Sequence, residues 1–298
     1  MSNTATVLAF DFGASSGRAI RAVYDGQNLT YEEIHRFENV PIEKDGHLCW
    51  DVETLLKEIH TAIQKAGTFD SLGFDTWGVD FGLLDTDGHL LANPVHYRDA
   101  RTNGKPEQAA ARMPAEELYA HTGNQIMAIN TLFQLLALQE QEPELLQKAE
   151  QILFMPDLFA ALLGAEPVCE RSIASTSQML DPRTGQWSRE VLAAYGLNEK
   201  HFAPIVASGT VTGTLANGAK IIAVAVHAEK LVSMTDIVGL LYDKNDESTL
   251  IPEVEVSEIE GYKAAGVIAG GMLPKIEGMA DAIYQGVHEA VIIDGRVA

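Results

Sequence analysis

A short apolar run near the start of the chain, residues 7–10, breaks into the segment DFGASSGR at residues 11–18. This pattern predicts a buried strand that ends in the carboxylate of Asp11, followed by a turn of small residues. Such a turn lets backbone N–H groups approach an anion, and glycine permits the positive φ that these turns often use. The residues concerned are Ala14, Ser15, Ser16 and Gly17.

The two charged residues of this segment, Asp11 and Arg18, are candidates for two different binding roles. Asp11 at the strand end is a candidate ligand for a metal cation or a water, and Arg18 is a candidate partner for phosphate charge. We interpret the segment as half of a nucleotide phosphate site. Taken alone, the same residues also fit a plain β-turn capped by Asp and Ser.

Charge and cysteine content limit the classes of partner. The 298 residues include 42 acidic and 21 basic side chains, for a net charge of −21. Such a surface repels phosphate backbones and anionic lipids, so we expect no nucleic-acid or membrane partner, and an anionic nucleotide needs a local positive group or Mg²⁺. Cys49 and Cys169 are too few for a disulfide framework, and no apolar run is long enough to span a membrane. These features predict a cytoplasmic protein.

The apolar spacing predicts an α/β fold with a largely buried sheet. Residues 52–66 carry a helical stripe, with Asp51 as N-cap and Gly67 as the end. Residues 106–163 are rich in helical patterns. Strands are predicted over residues 7–12, 18–23, 29–37, 71–76, 81–84, 90–95, 152–155, 220–226 and 231–234. Asp25-Gly26 predicts a hairpin between the second and third of these strands. Further helices are predicted over residues 158–163 and 257–265. The length fits about two domains.

A second group of segments carries residues suited to sugar binding: FDTWGVDF at 74–81, HYRDART at 96–102 and MPD at 155–157. Trp77 offers an aromatic face to the apolar side of a sugar ring, and Asp80 offers acceptors for hydroxyl groups. Gly78 allows a substrate to approach the backbone. A polar rim around the site is predicted from Arg98, Asp99 and Arg101. Individually, Trp77 also fits a core position, and Arg98 with Asp99 fits a surface ion pair.

Together, DFGASSGR, DTWGVDF and YRDARTNG resemble the N-terminal domain of the FGGY carbohydrate kinases, and within that family the L-rhamnulose kinases, over about residues 7–227. The resemblance implies an actin-like ATPase (ribonuclease H-like) fold with a mixed sheet, whose two domains close on ATP–Mg²⁺ and sugar. It implies that residues 14–18 contact the ATP phosphates and that Gly78 and its neighbours line the sugar site. The implied reaction transfers the γ-phosphoryl group of ATP to the 1-hydroxyl of L-rhamnulose.

The resemblance breaks at the position of the general base. The family has an apolar strand followed by Ser-His-Asp-Thr, in which the aspartate takes the hydroxyl proton. Here His227 matches as a sugar-site residue, but Ala228 stands at the base position. General-base assistance is worth about 10²–10⁴ in rate, so we expect an impaired kinase. Phosphoryl transfer relies mostly on positioning and charge neutralisation, so some turnover can remain. Glu229 is a candidate substitute, although a one-residue displacement turns its side chain away.

Residues 228–298 resemble a different enzyme, the nucleotide-binding C-terminal part of acetylglutamate kinase, which belongs to the amino-acid kinases. The matching segments are AEKLV, MTDIVGLL, GGMLPK and IIDGRV. The resemblance implies that Lys275 neutralises developing phosphoryl charge; by itself Lys275 also fits a solvated lysine at a helix start. Nothing after His227 resembles the second FGGY domain, so the chain looks chimeric, with domains 1–227 and 228–298.

Three hypotheses for the function follow. The first is an ATP-dependent sugar kinase of the L-rhamnulose kinase type. The second is a binding module that holds a sugar or a nucleotide without turnover. The third is an acetylglutamate-kinase-type activity of the tail, which lacks a visible counterpart of the acyl-amino-acid pocket.

Overall fold

A computed structural model describes residues 4–223, 230–235, 239–243, 246–268, 272, 276, 279–280 and 289–294. The chain divides into two compact units, Met1–Ala225 and Val226–Ala298. The predicted domain boundary between residues 227 and 228 stays a prediction.

A six-stranded mixed sheet organises the first unit, in the order β13-β14-β6-β1-β2-β3. Its strand β6 pairs in parallel with both β1 and β14, whereas β1–β2, β2–β3 and β13–β14 are antiparallel. The described strands of this unit are β1 (Ala5–Phe12), β2 (Ser16–Tyr24), β3 (Leu29–Glu38), β4 (Ile42–Lys44), β5 (His47–Cys49), β6 (Ser71–Asp75), β7 (Phe81–Leu84), β8 (Gln151–Phe154), β9 (Cys169–Glu170), β10 (Leu180–Asp181), β11 (Gln186–Trp187), β12 (Ile205–Val206), β13 (Val211–Thr214) and β14 (Lys220–Ile222).

The helices of the first unit are α1 (Val52–Ala66), α2 (Lys105–Ala109), α3 (Ala115–Thr122), α4 (Thr131–Gln141), α5 (Pro143–Lys148), α6 (Met155–Leu162), α7 (Arg171–Ala174) and α8 (Arg189–Tyr195). Short 3₁₀ turns lie at Ala100–Thr102, Ser175–Ser177 and Glu199–His201. The prediction for α1 is confirmed at both ends, because Asp51 accepts a hydrogen bond from the Thr54 N–H and Gly67 ends the helix with a positive φ.

Stacked aromatic side chains fix the site-bearing strands against helix α6. Phe10 of β1 stacks on Phe74 of β6 with ring centroids 4.9 Å apart, and Phe12 stacks on Phe159 of α6 at the same distance. All four rings are at most 2% exposed. This cluster holds the carboxyl ends of β1 and β6 rigidly side by side.

Two predicted elements differ from the structure. Residues 90–95 form no strand and contribute only isolated bridges, from Leu90 to Leu84 of β7 and from Val95 to Cys49, while β7 forms its ladder with the distant strand β8. Helix α6 begins at Met155, earlier than the predicted start at 158, because Pro156 is well suited to a first helical turn. Of the strand predicted over residues 220–226, the structure shows β14 at Lys220–Ile222, and residues 224–226 lie outside the described residues.

The thiols of Cys49 and Cys169 are free and buried. Within the described part of the chain, no helix is both long enough and apolar enough to cross a membrane.

The second unit contains a parallel pair of strands, β15 (Lys230–Thr235) and β16 (Glu289–Asp294). Its described helix is α9 (Ile259–Ala264), and 3₁₀ turns lie at Glu247–Thr249 and Val256–Glu258. A small separate core is formed by Leu240, Ile259, Ile268 and Ile276. The strand predicted over 231–234 is confirmed, and the helix predicted over 257–265 is a 3₁₀ turn followed by α9.

Candidate functional site

The two segments singled out by sequence leave the sheet at neighbouring strand ends. Strands β1 and β6 run parallel, and Asp11 lies directly opposite Asp75 in their register. The turn at residues 13–15 follows β1, and the turn at residues 76–80 follows β6. Because ligands of open α/β sheets bind beyond the carboxyl ends of the strands, the structure brings both predicted half-sites to the expected edge.

The turn after β1 is held by main-chain and amide hydrogen bonds. The Gly13 N–H donates to the Ser16 carbonyl at 2.8 Å. Asn39 donates its backbone N–H to the Ser15 carbonyl at 3.0 Å and its side-chain Nδ2 to the Gly13 carbonyl at 2.9 Å. Among the described residues, the N–H groups of Ala14 and Ser15 have no hydrogen-bond partner. These two donors are therefore available to an anion.

Gly17 is needed for packing rather than for a special backbone angle. Neither Gly13 nor Gly17 has the positive φ that the sequence led us to expect. A Cβ at position 17 would lie 2.3 Å from Cζ of Phe37. The glycine therefore makes room for a core ring that closes the underside of the turn.

Asp11 and Arg18 are joined in one exposed ion pair. Arg18 Nε donates to Asp11 Oδ2 at 2.7 Å, and the two side chains are 45% and 40% exposed. The predicted cation ligand, Asp11, and the predicted phosphate partner, Arg18, are therefore bonded to each other. Exposed pairs contribute about 0–1 kcal/mol, so little free energy opposes their rearrangement around a ligand.

Asp75 is a second carboxylate at this edge, and our sequence reasoning missed its role. It is exposed, but neighbouring protein withdraws part of the water around its carboxyl group, and this together with the charge of Asp11 raises its pKa. Its place at the end of a predicted strand was the available signal. Carboxylate oxygens from Asp11 and Asp75 are the ligand type that a hydrated Mg²⁺ takes, so the residues present fit that ion.

The turn after β6 has a strained backbone. The Asp80 N–H donates to the Gly78 carbonyl at 2.9 Å, and Val79 between them has φ of +67°. These are the features of a γ-turn with a positive central φ, which is rare, and a β-branched residue seldom occupies it. The Val79 N–H donates to Thr176 Oγ1 at 3.1 Å, and Thr131 Oγ1 donates to the Val79 carbonyl at 2.7 Å.

Asp80 is fully buried and its carboxylate is occupied by protein donors. Oδ2 accepts from Trp50 Nε1 at 2.6 Å, from Trp77 Nε1 at 3.1 Å and from the Tyr97 N–H at 3.1 Å. Oδ1 accepts from Gln134 Nε2 at 2.8 Å. Burial raises the pKa of Asp80 to about 6, against the opposing effect of these hydrogen bonds. In place of the predicted contact with sugar hydroxyls, the structure shows a group that orients its neighbours.

Trp77 lies at the border of an aromatic stack. Its ring centroid is 3.9 Å from that of Trp50, which stacks on His96 at 4.1 Å. Burial, with the charge of Arg98 acting in the same direction, lowers the pKa of His96 to about 4 and keeps the imidazole neutral at pH 7. Because Trp77 is only half-buried, it retains an exposed aromatic surface.

Of the three residues predicted to form a polar rim, Arg98, Asp99 and Arg101, only Arg98 is exposed. Arg98 is exposed, and its guanidinium lies 5.4 Å from the Tyr97 ring centroid. Within the described part of the chain Asp99 pairs with His47 and accepts from the Leu48 N–H, rather than forming the ion pair with Arg98. Arg101 is 9% exposed and donates from Nη2 to Gln134 Oε1 at 2.9 Å. It supports the site from inside, because a buried amide group accepts from its guanidinium.

Gly78 is required by close packing. A Cβ at this position would lie 3.0 Å from Cγ2 of Thr176. Its N–H has no hydrogen-bond partner among the described residues. The glycine therefore presents a free donor beside the ring of Trp77.

The MPD motif at residues 155–157 places Asp157 beside a second buried acidic residue, Glu170. Asp157 in the first turn of α6 is 5% exposed, and its Oδ2 accepts from the Glu170 N–H at 3.1 Å. Burial raises the pKa of Asp157 to about 7, and the charge of Glu170 acts in the same direction. Glu170 itself caps α7 through the N–H groups of Ser172 and Ile173. Both carboxyl groups therefore accept hydrogen bonds from N–H groups of the surrounding fold, which accounts for their burial.

Four of the predicted site residues, His227, Ala228, Glu229 and Lys275, lie outside the described residues. Their roles stay predictions. Conversely, the site contains supporting residues that sequence reasoning did not find: Trp50, Thr131, Gln134 and Thr176. Trp50 stands next to a predicted helix cap, and the others show no local signal.

Comparison with known proteins places this geometry in a family. The sequence model of the N-terminal domain of the FGGY family of carbohydrate kinases matches residues 6–234. A rhamnulokinase of Bacteroides thetaiotaomicron is 41% identical over 212 residues, covering 70% of this chain and 44% of that protein. A rhamnulokinase of Halalkalibacterium halodurans is 42% identical over 202 residues, covering 66% and 43%. The chain spans less than half the length of these two relatives.

Solved structures show the same fold at low identity. A gluconate kinase from Lactobacillus acidophilus gives a TM-score of 0.66 at 15% identity, covering 80% of this chain and 53% of that one. A xylulose kinase from Rhodospirillum rubrum gives 0.66 at 15%, covering 77% and 54%. The predicted actin-like ATPase type of α/β fold is confirmed, and the later part of the chain as an acetylglutamate-kinase-like segment stays a prediction. With its paired turns at the ends of β1 and β6, the chain belongs to the FGGY family of carbohydrate kinases.

Proposed function

We propose that this chain forms the sugar-binding and first phosphate-binding part of an ATP-dependent kinase that phosphorylates the 1-hydroxyl of L-rhamnulose. The observation that most supports this proposal is the register of β1 and β6, in which Asp11 lies opposite Asp75. The turn after β1, which we propose binds phosphate, and the turn that carries Trp77 and Gly78 therefore follow neighbouring strand ends. The two relatives named rhamnulokinases support this choice of sugar.

The phosphate side of the proposed site uses the turn after β1. The free N–H groups of Ala14 and Ser15 bind phosphate oxygens, and Arg18 exchanges its contact with Asp11 for a phosphate oxygen. Asp11 and Asp75 would hold a hydrated Mg²⁺, which when bound would neutralise phosphate charge. In a protein with a net charge of −21, this local arrangement is what makes an anionic nucleotide acceptable.

The sugar side uses the turn after β6. The exposed face of Trp77 packs on the apolar side of the ketose, and the Gly78 N–H donates to a hydroxyl. Arg98 contributes a donor at the exposed border. Trp77, with its ring and its Nε1 fixed by Trp50 and Asp80, loses little conformational entropy on binding.

The alternative is that the chain binds sugar without turnover. The observation in its favour is Ala228 at the position of the family's general base. Loss of a base costs about 10²–10⁴ in rate, while the sugar contacts of Trp77 and Gly78 are unaffected.

Two measurements on the full chain separate these proposals: calorimetric titration with L-rhamnulose, and ADP release with L-rhamnulose and Mg-ATP. We expect binding, weak sugar-dependent ADP release, and a rise in release of about 10²-fold in Ala228→Asp. Binding without ADP release in both proteins supports the alternative. Absence of L-rhamnulose binding rejects the choice of sugar.

A matched pair of variants localises the sugar site. Trp77→Ala removes the proposed stacking surface, so we expect L-rhamnulose affinity to fall about tenfold or more. Tyr119→Ala removes an aromatic side chain that is 57% exposed on α3 and should leave affinity within twofold. Equal effects of the two substitutions would place the sugar elsewhere.

A further inference from the structure

The γ-turn at residues 78–80 is bonded on both sides of its strained residue. At Val79 the left-handed φ of +67° is a conformation that glycine adopts freely and valine does not. Such a conformation persists only where surrounding structure over-determines it. The residues that enforce it therefore control the shape of the turn.

Thr176 holds the turn from the side of the 3₁₀ turn Ser175–Ser177. Its Oγ1 accepts from the Val79 N–H at 3.1 Å and donates to the Ile173 carbonyl at 2.8 Å. Its methyl group fills the space that a side chain at Gly78 would need, with Cγ2 3.0 Å from the position of a Cβ. One side chain thus fixes both the peptide before Val79 and the packing of Gly78.

Thr131 holds the opposite peptide from the start of α4. It is fully buried, and its Oγ1 donates to the Val79 carbonyl at 2.7 Å. One turn later, Gln134 Nε2 donates to Asp80 Oδ1 at 2.8 Å. Helix α4 therefore positions the carbonyl of Val79 and the carboxylate of Asp80 together.

The conformation of Val79 determines how the turn presents the Trp77 ring and the Gly78 N–H. With Val79 fixed, the Asp80 carboxylate reaches Trp77 Nε1 at 3.1 Å, and the Gly78 N–H has no partner among the described residues. We propose that Thr131 and Thr176 are positioning residues that lock Val79 in its left-handed conformation and so aim the Trp77 ring and the Gly78 N–H at the ligand. The identity of that ligand as a sugar rests on the proposed function.

The first test removes the hydroxyl groups while keeping side-chain volume. Thr131→Val and Thr176→Val should each weaken L-rhamnulose binding about tenfold in calorimetry. The first leaves the Val79 carbonyl only the 3.4 Å hydrogen bond from Gln134 Nε2, and the second leaves the Val79 N–H without its acceptor, so in both variants the turn can relax. Thr176→Ser retains the hydroxyl and should lose about threefold or less. The matched control is Thr61→Val on α1, whose Oγ1 donates to the Lys57 carbonyl at 2.8 Å; its affinity should stay within about twofold.

The second test is a rescue that a merely structural hydroxyl would not show. Glycine tolerates positive φ without a clamp, so Val79→Gly added to Thr176→Val should recover most of the lost affinity. The rescue also covers a folding failure: if Thr176→Val does not fold, the double variant should fold and bind. A double variant as weak as, or weaker than, Thr176→Val overturns the proposal.

A third readout needs no sugar. The chain has three tryptophans, so ¹⁵N-tryptophan labelling gives a simple set of indole N–H resonances, with that of Trp77 assigned by Trp77→Phe. We expect Thr176→Val to shift the Trp77 resonance and Val79→Gly to restore it. An unshifted resonance in folded Thr176→Val overturns the positioning role. A shift with rescue, in a wild-type chain that does not bind L-rhamnulose, supports the clamp and rejects the choice of sugar.

Discussion

Two turns leave adjacent strands of the same sheet, and they are stabilised in opposite ways. After β1, the charged pair of Asp11 and Arg18 is 40–45% exposed and bonds only within itself among the described residues. After β6, Asp80 is fully buried and accepts from four protein donors. The first turn keeps its charges available for exchange, and the second is organised before any ligand arrives.

The contrast matches the chemistry of the two proposed ligands. A phosphate group is recognised by charge and by main-chain N–H groups, which tolerate small displacements. A sugar hydroxyl is recognised by directional hydrogen bonds and ring stacking, whose partners lose affinity when they move. A rigid turn after β6 beside an adaptable turn after β1 therefore suits the proposed sugar and phosphate ligands.

The largest expected difference is between Asp80→Ala and Asp11→Ala. Asp80→Ala leaves the buried Nε1 of Trp50 without its acceptor and removes the acceptor of Trp77 Nε1 and of the Tyr97 N–H, so it should lower the free energy of unfolding by about 3 kcal/mol or more. Asp11→Ala breaks an exposed pair and should cost about 1 kcal/mol or less. Urea denaturation followed by tryptophan fluorescence measures both. Similar losses would mean that the two turns are not stabilised differently.

Glycine substitutions test the same contrast through packing. At Gly17, Ala meets the Phe37 ring at 2.3 Å and should cost about 1–3 kcal/mol of stability. At Gly78, Ala meets the movable Thr176 methyl at 3.0 Å, so it should cost less stability but more L-rhamnulose affinity. Thermal unfolding of Gly17→Ala and Gly78→Ala compares their losses of stability, and calorimetry compares their losses of L-rhamnulose affinity. A reversal of either ranking contradicts the assignment of the rigid turn to the sugar.

Buried carboxylates should make stability depend on pH. The folded-state pKa values of Asp157, about 7, and Asp80, about 6, lie above the usual 3.8. Through these two carboxyl groups the folded state binds more protons than the unfolded state between about pH 4 and 7, so their contribution to stability falls as pH rises through this range. The lowered pKa of His96 acts in the opposite direction and is the same in wild type and Asp157→Asn. From pH 5 to 8 we expect wild type to lose about 1–3 kcal/mol more than Asp157→Asn. Parallel profiles from urea midpoints would show that Asp157 does not carry this dependence.

The smallest effect on stability is expected for Arg18→Ala. Its exposed contact with Asp11 contributes about 0–1 kcal/mol. The same change removes a charge-assisted contact to phosphate and should weaken Mg-ADP binding about tenfold. Arg183→Ala breaks an ion pair with Asp181, in which the arginine is exposed and the aspartate is partly covered, and serves as the control for nucleotide titration. Equal nucleotide affinities of the two variants would remove Arg18 from the phosphate site.

Local patterns in the sequence identified much of this architecture. Helix α1 was predicted with both ends, because its apolar spacing, its cap at Asp51 and Gly67 all act within a few residues. The β2–β3 hairpin was predicted from Asp25-Gly26 and the alternation beyond it. Motif reading likewise found the segments around Asp11 and Trp77, which the structure brings to one edge.

Long-range pairing explains what local reading missed. Thr131, Gln134 and Thr176 reach Val79 and Asp80 from 52–97 residues away, and nothing in their own segments marks them. Arg101 was placed on a polar rim because its charge suggests exposure, but its acceptor Gln134 lies 33 residues later. The partner of β7 is β8, about 70 residues later in the chain, whereas the nearby residues 90–95 form only isolated bridges.

The place of β14 in the sheet sets a condition on synthesis. Leu72 of β6 pairs with Ile221 of β14 in the middle of the sheet. While a ribosome makes the intervening residues, the apolar strand β6 has an open edge that other chains can pair with. This edge of the nascent chain stays open until β14 has been made, and expression at low temperature should favour the folded product because hydrophobic association weakens on cooling.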